Sequence, residues 1–453
     1  MNPTETMAAD RSSDTVRIGA LSRDAIAALS QRAGDPEYLA RRRAEAWAFC
    51  EKTPFPNRVE ELWRRTDISG LKWDSIAAAR EPHAPLRSPA DLPAALSQEI
   101  GPASERSALL VQIDSSVVWT DADADLSRLG VTVLPIAEAI RRSPALVERY
   151  MGRTVRMDES RFTGLNAALL AGGAFVHVPA GVTVPRPIRI LVSRQSPDLG
   201  TFPHVVVALD KGSAATVIEE YFSPSEPGAG VHVGVSEIVV GDEADLHLAT
   251  LQRWGPTVYH FGVERVRVAR GGRFHWTFAG LGGKLTKLDM EMHLDGEGSE
   301  AKFSGCYFGN ETQHFDFHTF QNHIVGHSLS DLLFKGALRG RARTVYQGLI
   351  KVHKDAQRSD AYQANRNLIL SDKARADSIP SLEIEANDVR CTHGATVGQV
   401  DEEQLFYIMA RGLSRHEAER LIIAGFFEPV LERIPAESLR TLVTEAVERK
   451  AAV

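Results

Sequence analysis

Residues 240–272 read Val-Gly-Asp-Glu-Ala-Asp-Leu-His-Leu-Ala-Thr-Leu-Gln-Arg-Trp-Gly-Pro-Thr-Val-Tyr-His-Phe-Gly-Val-Glu-Arg-Val-Arg-Val-Ala-Arg-Gly-Gly. Val240 and Val268 each end a run of strand-forming residues. A polar or glycine-containing turn follows, and a small residue, Ala244 or Gly272, stands four positions further on. The same arrangement recurs elsewhere in the chain, at Leu209/Ser213, Leu294/Gly298 and Leu338/Ala342.

The spacing of these turns indicates the architecture. Successive spacings from Leu209 to Leu294 are 31, 28 and 26 residues, enough for about two short strands and their turns in each unit. Stacked coils whose small residues fit tight corners follow from this pattern. We therefore predict a mainly β protein with a β-solenoid core over residues 172–390. The irregular spacing leaves a two-sheet jelly roll open as the alternative.

The composition of the chain argues against several other classes of protein. The chain has 453 residues, so two or three domains are expected. A net charge of -7 argues against nucleic acid as the main partner. We expect no membrane span and no signal peptide, because apolar runs are short and the N-terminus is polar. Three scattered cysteines (Cys50, Cys306 and Cys391) fit a reducing cytoplasm.

Helical segments flank the predicted solenoid. Residues 20–50 and 134–170 have helical spacing, residues 109–119 suggest strands, and residues 1–14 are predicted to be disordered. We place an N-terminal, mostly helical domain at 1–171 and a C-terminal helical domain at 391–453.

The C-terminal domain shows helix-capping patterns. Asp401 with Gln404, and Ser414 with Glu417, resemble capping boxes, and Gly425 is predicted to end the second helix. A third helix should follow Pro435. The domain carries more aromatic residues than so small a body can easily bury, so some should face the solenoid or a partner. These residues are Phe406, Tyr407, Phe426 and Phe427.

The strongest chemical candidates stand where the solenoid should end. Cys391 and His393 are two residues apart, which places both side chains on one face of an extended strand. Thiolate and imidazole both bind transition metals. Two ligands cannot complete a metal site, so other ligands would have to come from elsewhere, including another chain. The alternative is an inward-pointing thiol beside a histidine that caps a carbonyl.

The other candidate metal-binding or phosphate-binding residues are predicted to have structural roles. The stretch from His314 to His327 is rich in histidine but matches no closed ligand pattern, and His318 and His323 should face opposite sides of a strand. Gly282-Gly283-Lys284 lacks the remaining residues of a phosphate loop. Cys306 is predicted to be a packed core thiol.

Residues 331–430 resemble the SufB/SufD family of iron–sulfur cluster assembly scaffolds, and the likeness extends more weakly back through the solenoid. The run Cys391-Thr-His-Gly-Ala-Thr-Val-Gly398 matches the SufD branch, whereas SufB-like chains typically have Glu-His-Glu-Ala there. The other matching segments are Ser330-Asp-Leu-Leu-Phe-Lys-Gly-Ala-Leu338, Tyr346-Gln-Gly-Leu-Ile-Lys-Val352, Asp360-Ala-Tyr-Gln-Ala-Asn365, Asn367-Leu-Ile-Leu-Ser371 and Pro380-Ser-Leu-Glu-Ile384.

The resemblance implies a right-handed parallel β-helix flanked by helical domains. It implies a non-catalytic scaffold that pairs with a SufB-like paralogue and with a SufC-like ATPase. The sequence leaves open whether the isolated chain forms a homodimer or only the heterocomplex. His393 matches the SufD histidine that handles iron or the nascent cluster, and Cys391 is its neighbour. Transient iron or a cluster would be shared with SufB, and a reduced flavin is associated with the assembled complex. The ATPase would dock on the C-terminal domain, at Gln404, Phe406, Tyr407, Arg411, Phe426 and Phe427.

Two other classes of function remain alternatives. A stand-alone enzyme on a β-solenoid would need a groove with paired carboxylates. A purely structural partner subunit would leave Cys391 and His393 without a chemical role.

Overall fold

A computed structural model describes residues 16–79, 82–223, 228–434 and 437–452. The disorder predicted for residues 1–14 lies outside these ranges. The strands are β1 (Ala108–Ile113), β2 (Ser116–Ala122), β3 (Thr132–Pro135), β4 (Ala174–Val178), β5 (Ile188–Ser193), β6 (Gly200–Thr201), β7 (His204–Leu209), β8 (Ala214–Phe222), β9 (Gly230–Val240), β10 (Asp245–Arg253), β11 (Val258–Val268), β12 (Arg273–Gly280), β13 (Leu285–Leu294), β14 (Glu300–Gly309), β15 (His314–His323), β16 (Leu329–Leu338), β17 (Arg343–Val352), β18 (Asp360–Ile369), β19 (Arg375–Ile384) and β20 (Arg390–Gln399).

The α-helices lie at the two ends of the chain. They are α1 (Arg23–Ala33), α2 (Glu37–Lys52), α3 (Ala94–Ser97), α4 (Ala124–Arg128), α5 (Ile136–Arg142), α6 (Pro144–Tyr150), α7 (Arg161–Leu169), α8 (Glu402–Met409), α9 (Arg415–Leu431) and α10 (Glu437–Ala451).

The strands form two facing sheets in a solenoid of about eight turns. The first sheet has the order β2-β1-β5-β8-β10-β12-β14-β16-β18-β20, and the second has the order β19-β17-β15-β13-β11-β9-β7-β4-β3, with β6 beside β9. From β4 and β5 onward the neighbours within each sheet are parallel. The predicted solenoid is confirmed, and the jelly-roll alternative is wrong because a jelly roll is built from antiparallel strands.

The space between the sheets, here called the lumen, holds the main core. Parallel pairing in register stacks like residues coil upon coil. The ring of Trp276 stacks 4.3 Å from that of Phe303, one coil further on, and Phe334 packs 4.8 Å from Phe303. Every second residue of a strand enters this core, as the strand period requires.

The turns between coils follow the predicted pattern. The Ala244 N–H donates to the carbonyl of Gly241 (3.1 Å), which closes the turn, and Ala244 is fully buried. Glu243, just before it, has a left-handed φ of 57°. A buried small residue therefore marks the corner because the chain turns tightly against the coil below.

One predicted corner residue is displaced. Between β13 and β14 the turn is one residue longer, so Ser299 is the buried small residue and donates its N–H to Gly296. Gly298 instead takes the left-handed conformation, with φ 71°. Two further corners, His327-Ser328 and Arg358-Ser359, combine a positive φ with a buried serine.

The N-terminal end of the solenoid is built differently from the rest. Strand β2 pairs antiparallel with β1, and β3 pairs antiparallel with β4, so each sheet ends in an antiparallel strand here. The strands predicted around residues 109–119 are confirmed. Trp63 stacks on Phe162 (5.4 Å), and Phe162 stacks on Phe261 of β11 (4.3 Å), which fastens the N-terminal helical region to the solenoid.

Helices α8–α10 follow the last strand. The Ser414/Glu417 capping box is confirmed. Asp401 does cap α8, but its side chain accepts from the Glu403 N–H, so the capping box predicted for Asp401 with Gln404 is wrong. Helix α9 continues through Gly425 to Leu431, so the predicted end at Gly425 is wrong. A glycine inside a helix costs only about 1 kcal/mol, and packing of the following turn on the solenoid outweighs it. Among the described residues, none of the helices has the length and apolar character needed to cross a membrane.

Candidate functional site at the open end of the solenoid

Strand β20 positions the two predicted ligands. It pairs in parallel with β18, so that Cys391 lies beside Ala361 and His393 beside Gln363. Ala361 and Gln363 are both fully buried in the lumen. Because side chains in register share a face, Cys391 and His393 continue the lumenal columns of Ala361 and Gln363 at the final coil.

The surroundings of the two side chains differ. Cys391 is half-buried and packs against an apolar cluster that includes Val352 and Ala361. Burial and the nearby Asp360 carboxylate raise the pKa of the Cys391 thiol, which disfavours the thiolate that a metal needs. His393 is exposed. Of the pair, the imidazole is the side chain more open to a metal and to a partner chain.

The ligand set of this chain is incomplete. Within the described ranges, no group of three or more His, Cys, Asp or Glu side chains is placed to hold a metal ion. The described residues around His393 therefore do not form a metal site by themselves. The cargo would be a substrate that is passed on, not a resident cofactor.

The C-terminal end of the solenoid is open. Among the described strands, β19 and β20 are the last of their sheets at this end, so each has one edge with no described strand beside it. Apolar side chains are exposed there: Val397 on β20 is 49% exposed and Ile384 on β19 is 42% exposed. An exposed parallel edge with apolar side chains is suited to pairing with another chain.

The residues predicted to bind the ATPase fall into two groups. Helix α8 and the turn after it expose Gln404, Phe406, Tyr407 and Arg411. Phe406 is 74% exposed and Tyr407 is 62% exposed, and the Arg411 guanidinium lies 3.7 Å from the centre of the Tyr407 ring. We call these four residues the α8 face.

Phe426 and Phe427 face the solenoid instead. Phe427 is fully buried beside Phe308 of β14, and Phe426 is half-buried beneath the ammonium of Lys335 (4.8 Å). The aromatic surplus of this domain is thus divided: one pair packs on the solenoid and the other faces solvent.

The other candidates have structural partners. His323 is fully buried and hydrogen-bonded to Ser328 (2.8 Å) and Ser330 (2.7 Å), and burial lowers its pKa to about 4. His314 is hydrogen-bonded to Thr66 (3.0 Å). Cys306 is buried, with its pKa raised to about 12, as expected of a core thiol.

Comparisons with known proteins cover nearly the whole chain. The family model "SUF system FeS cluster assembly, SufBD core domain" matches residues 191–426, and the model "SufBD protein N-terminal region" matches residues 23–190. The chain belongs to the SufBD family. The resemblance found in the sequence is confirmed, and it places this SufBD chain in iron–sulfur cluster assembly.

Two relatives illustrate the range of similarity to this SufBD chain. "Iron-sulfur cluster assembly protein SufD" of Bacillus subtilis is 32% identical over 426 residues, covering 93% of this chain and 96% of that protein. "Iron-sulfur cluster assembly SufBD family protein" of Staphylococcus epidermidis is 27% identical over 425 residues, covering 92% and 90% of the two chains.

Sequence reasoning missed two buried polar side chains in the lumen beneath the last coil. Gln363 and Tyr346 lie in the lumen one coil beneath the last, fully buried. The signal was present in the segment Asp360-Ala-Tyr-Gln-Ala-Asn365, where polar residues occupy alternate positions that earlier coils fill with apolar ones. Without the register, those positions could not be assigned to the lumen.

Proposed function

We propose that this chain is a SufD-like, non-catalytic scaffold subunit that works in the cytoplasm. It pairs with a SufB-like paralogue through the open end of its solenoid and presents His393 to iron or a nascent cluster shared between the two chains. A SufC-like ATPase docks on the α8 face of the proposed C-terminal domain. The observation that carries the proposal is that the lumenal column containing His393 ends at an open sheet edge.

The pairing step rests on the contrast between the two ends. Antiparallel strands complete the sheets at the N-terminal end, whereas parallel strands with exposed Val397 and Ile384 end them at the other. A lysine on an edge strand opposes strand addition. We expect Val397→Lys to abolish co-purification of the SufB-like partner, while Leu421→Lys on the exposed face of α9 leaves it unchanged.

The chemical step rests on His393. An imidazole at the shared edge can bind iron, and ligands from the second chain can complete the coordination. Replacing His393 with Ala should impair cluster maturation in a host that depends on this pathway, with the complex still intact by gel filtration. Cys391→Ala should have a smaller effect, because burial and the Asp360 carboxylate raise the pKa of its thiol and so disfavour the thiolate.

A matched control is available for this test. His327 is exposed at a turn on another coil, so His327→Ala should support normal growth. Normal growth of the His393→Ala strain would remove the imidazole from the mechanism and leave the structural-subunit alternative.

The ATPase step rests on the α8 face. Deleting the helices would uncover the apolar surface that they cover, so point variants are the sharper test. Phe406→Ala with Tyr407→Ala should lower ATPase binding at least tenfold, because exposed aromatics are frequent binding hot spots. Tyr362→Ala, which removes a part-exposed tyrosine from β18, serves as the control. Unchanged ATPase binding by the double variant would reject the assignment.

A further inference from the structure

The lumen changes character just beneath the open end. One column of the first sheet runs Trp276, Phe303, Leu332, Gln363 and then His393, each beside the next in register. The first three side chains are apolar and fully buried. Gln363 is also fully buried, yet it places an amide directly beneath His393. Adjacent coils are separated by about 4.8 Å.

The Gln363 amide has no internal partner. Neither Nε2 nor Oε1 forms a hydrogen bond within the described part of the chain, although both atoms are buried. Such an arrangement is rare, because a buried polar group without a partner loses its hydration and gains nothing in return.

Another lumenal glutamine shows the usual arrangement. The Nε2 of Gln252 donates to the Gly282 carbonyl (3.1 Å) and to Thr286 Oγ1 (3.0 Å), and its Oε1 accepts from the Gly282 N–H (2.9 Å). The fold therefore satisfies the whole amide of Gln252. The buried Gln321 of β15 lacks a partner for Oε1 alone, whereas Gln363 has both amide atoms unpaired.

On the opposite sheet, Gly348 leaves the space that the Gln363 amide occupies. The Gln363 side chain crosses the lumen to Gly348 of β17, where an added Cβ would collide with Nε2 and lie 2.6 Å from the Tyr346 hydroxyl oxygen. The Tyr346 hydroxyl is itself hydrogen-bonded to Thr319 (2.8 Å). Packing therefore holds the amide inside the lumen directly under the last coil, with both polar atoms buried and unpaired.

We propose that Gln363 is a further binding residue of the cluster-handling site. Its Nε2–H donates a hydrogen bond to a sulfide of the iron–sulfur species held at His393, and the lumen of the last coil, not the outer surface, receives that species. Hydrogen bonds to cluster sulfurs stabilise bound clusters and tune their properties. This inference rests on the proposed function of His393.

The test uses the complex of the full-length chain with its SufB-like partner. Wild type, Gln363→Leu, His393→Ala and Leu332→Met are loaded anaerobically with ferrous iron and sulfide. Iron and acid-labile sulfide that remain bound after gel filtration are then measured. Leu332→Met is the control, because it conserves volume in the same column one coil deeper. The melting temperature of each unloaded chain is measured in parallel.

The expected result separates binding from structure. Gln363→Leu should lower the retained iron and sulfide about tenfold and leave the melting temperature unchanged or higher, since leucine removes an unpaired buried amide. A lower melting temperature with normal retention would show that the amide serves the fold and would overturn the inference.

The two proposals fail in different ways. If His393→Ala loses retention and Gln363→Leu does not, the inference is wrong and the function of His393 stands. If Gln363→Leu alone loses retention, the lumen binds the species without His393, so the proposed role of His393 and the hydrogen bond proposed beside it are both wrong. If both variants retain iron and sulfide like wild type, both proposals are wrong.

Discussion

At the scale of single residues, burial in the lumen shifts the pKa values of several titratable groups toward the neutral form. Glu219 is fully buried, accepts a hydrogen bond from the Tyr221 hydroxyl (2.9 Å), and has its pKa raised to about 7 by burial. Burial also raises the pKa of Glu264 and lowers that of His260 to about 3. These groups therefore avoid placing unpaired charge in the core.

Glu219 makes stability depend on pH. The folded chain keeps this proton up to about pH 7, whereas the unfolded chain releases it near the ordinary value of 4.5. Stability from this group is thus fully present below pH 4.5 and is lost as the pH rises through 7. At about 1.4 kcal/mol per pKa unit, the loss is roughly 2–4 kcal/mol.

Glu219→Gln should remove this dependence. Urea unfolding at pH 5 and pH 8 should show a smaller loss of unfolding free energy in the variant than in wild type. Glu428→Gln, an exposed change on α9, should leave the wild-type profile unaltered. An identical pH profile in Glu219→Gln and wild type would show that the carboxyl is ionised in the core.

Glu243 carries a second, independent prediction. Its φ of 57° places a non-glycine residue in the left-handed region, and its side chain only reaches an exposed pair with Arg270 (3.2 Å). Glu243→Gly should stabilise the chain by about 0.5–1 kcal/mol, because glycine adopts this conformation without strain. In contrast, Glu300→Gly at the start of β14 should destabilise it. Thermal unfolding of both variants checks the signs.

At the scale of elements, helix α9 is held by specific contacts with the solenoid. The Lys335 ammonium donates to the Phe426 carbonyl (2.7 Å), and Arg433 donates to Ser304 (3.0 Å). Lys450 of α10 donates to the Phe308 carbonyl (2.6 Å). These polar contacts surround a buried apolar contact centred on Phe427.

Phe427→Ala should therefore cost about 3–5 kcal/mol of stability, the usual range for removing a buried phenylalanine. Limited proteolysis should then cut first in the C-terminal helices, because the same contact docks them. Phe406→Ala should change stability by less than about 0.5 kcal/mol, since its ring is exposed. Equal protease resistance in both variants would show that Phe427 does not hold the domain.

At the scale of the whole molecule, the two ends of the solenoid behave differently. A parallel edge that carries exposed Val397 can accept another strand, and a second copy of the same chain is one available source. We expect the isolated chain to form a concentration-dependent dimer through β19 and β20. Light scattering after gel filtration should show this dimer for wild type and a monomer for Val397→Lys. A wild-type chain that stays monomeric at all concentrations would contradict the prediction.

Local patterns were sufficient to predict the class of fold. A small residue four positions after the end of a strand indicates a tight corner. The recurrence of this pattern along the chain indicates stacked coils. Ser328 and Ser359 escaped notice because they follow the ends of β15 and β17 by five and seven residues, not by the four residues of the pattern. The helix end predicted at Gly425 was wrong because the low helix propensity of glycine is outweighed by the packing of the nearby Phe427.

The sequence by itself determined the repeat, the flanking helices, the Cys391/His393 pair and, through its motifs, the family. Only the tertiary structure decided which side chains face the lumen, that Phe427 is buried while Phe406 is exposed, and that Gln363 lies unpaired beneath His393. Tight corners and helix caps depend on a few adjacent residues, so they can be predicted from the sequence. Register and docking depend on residues about 30 or more positions apart, such as Gln363 and His393, and only folding brings them together.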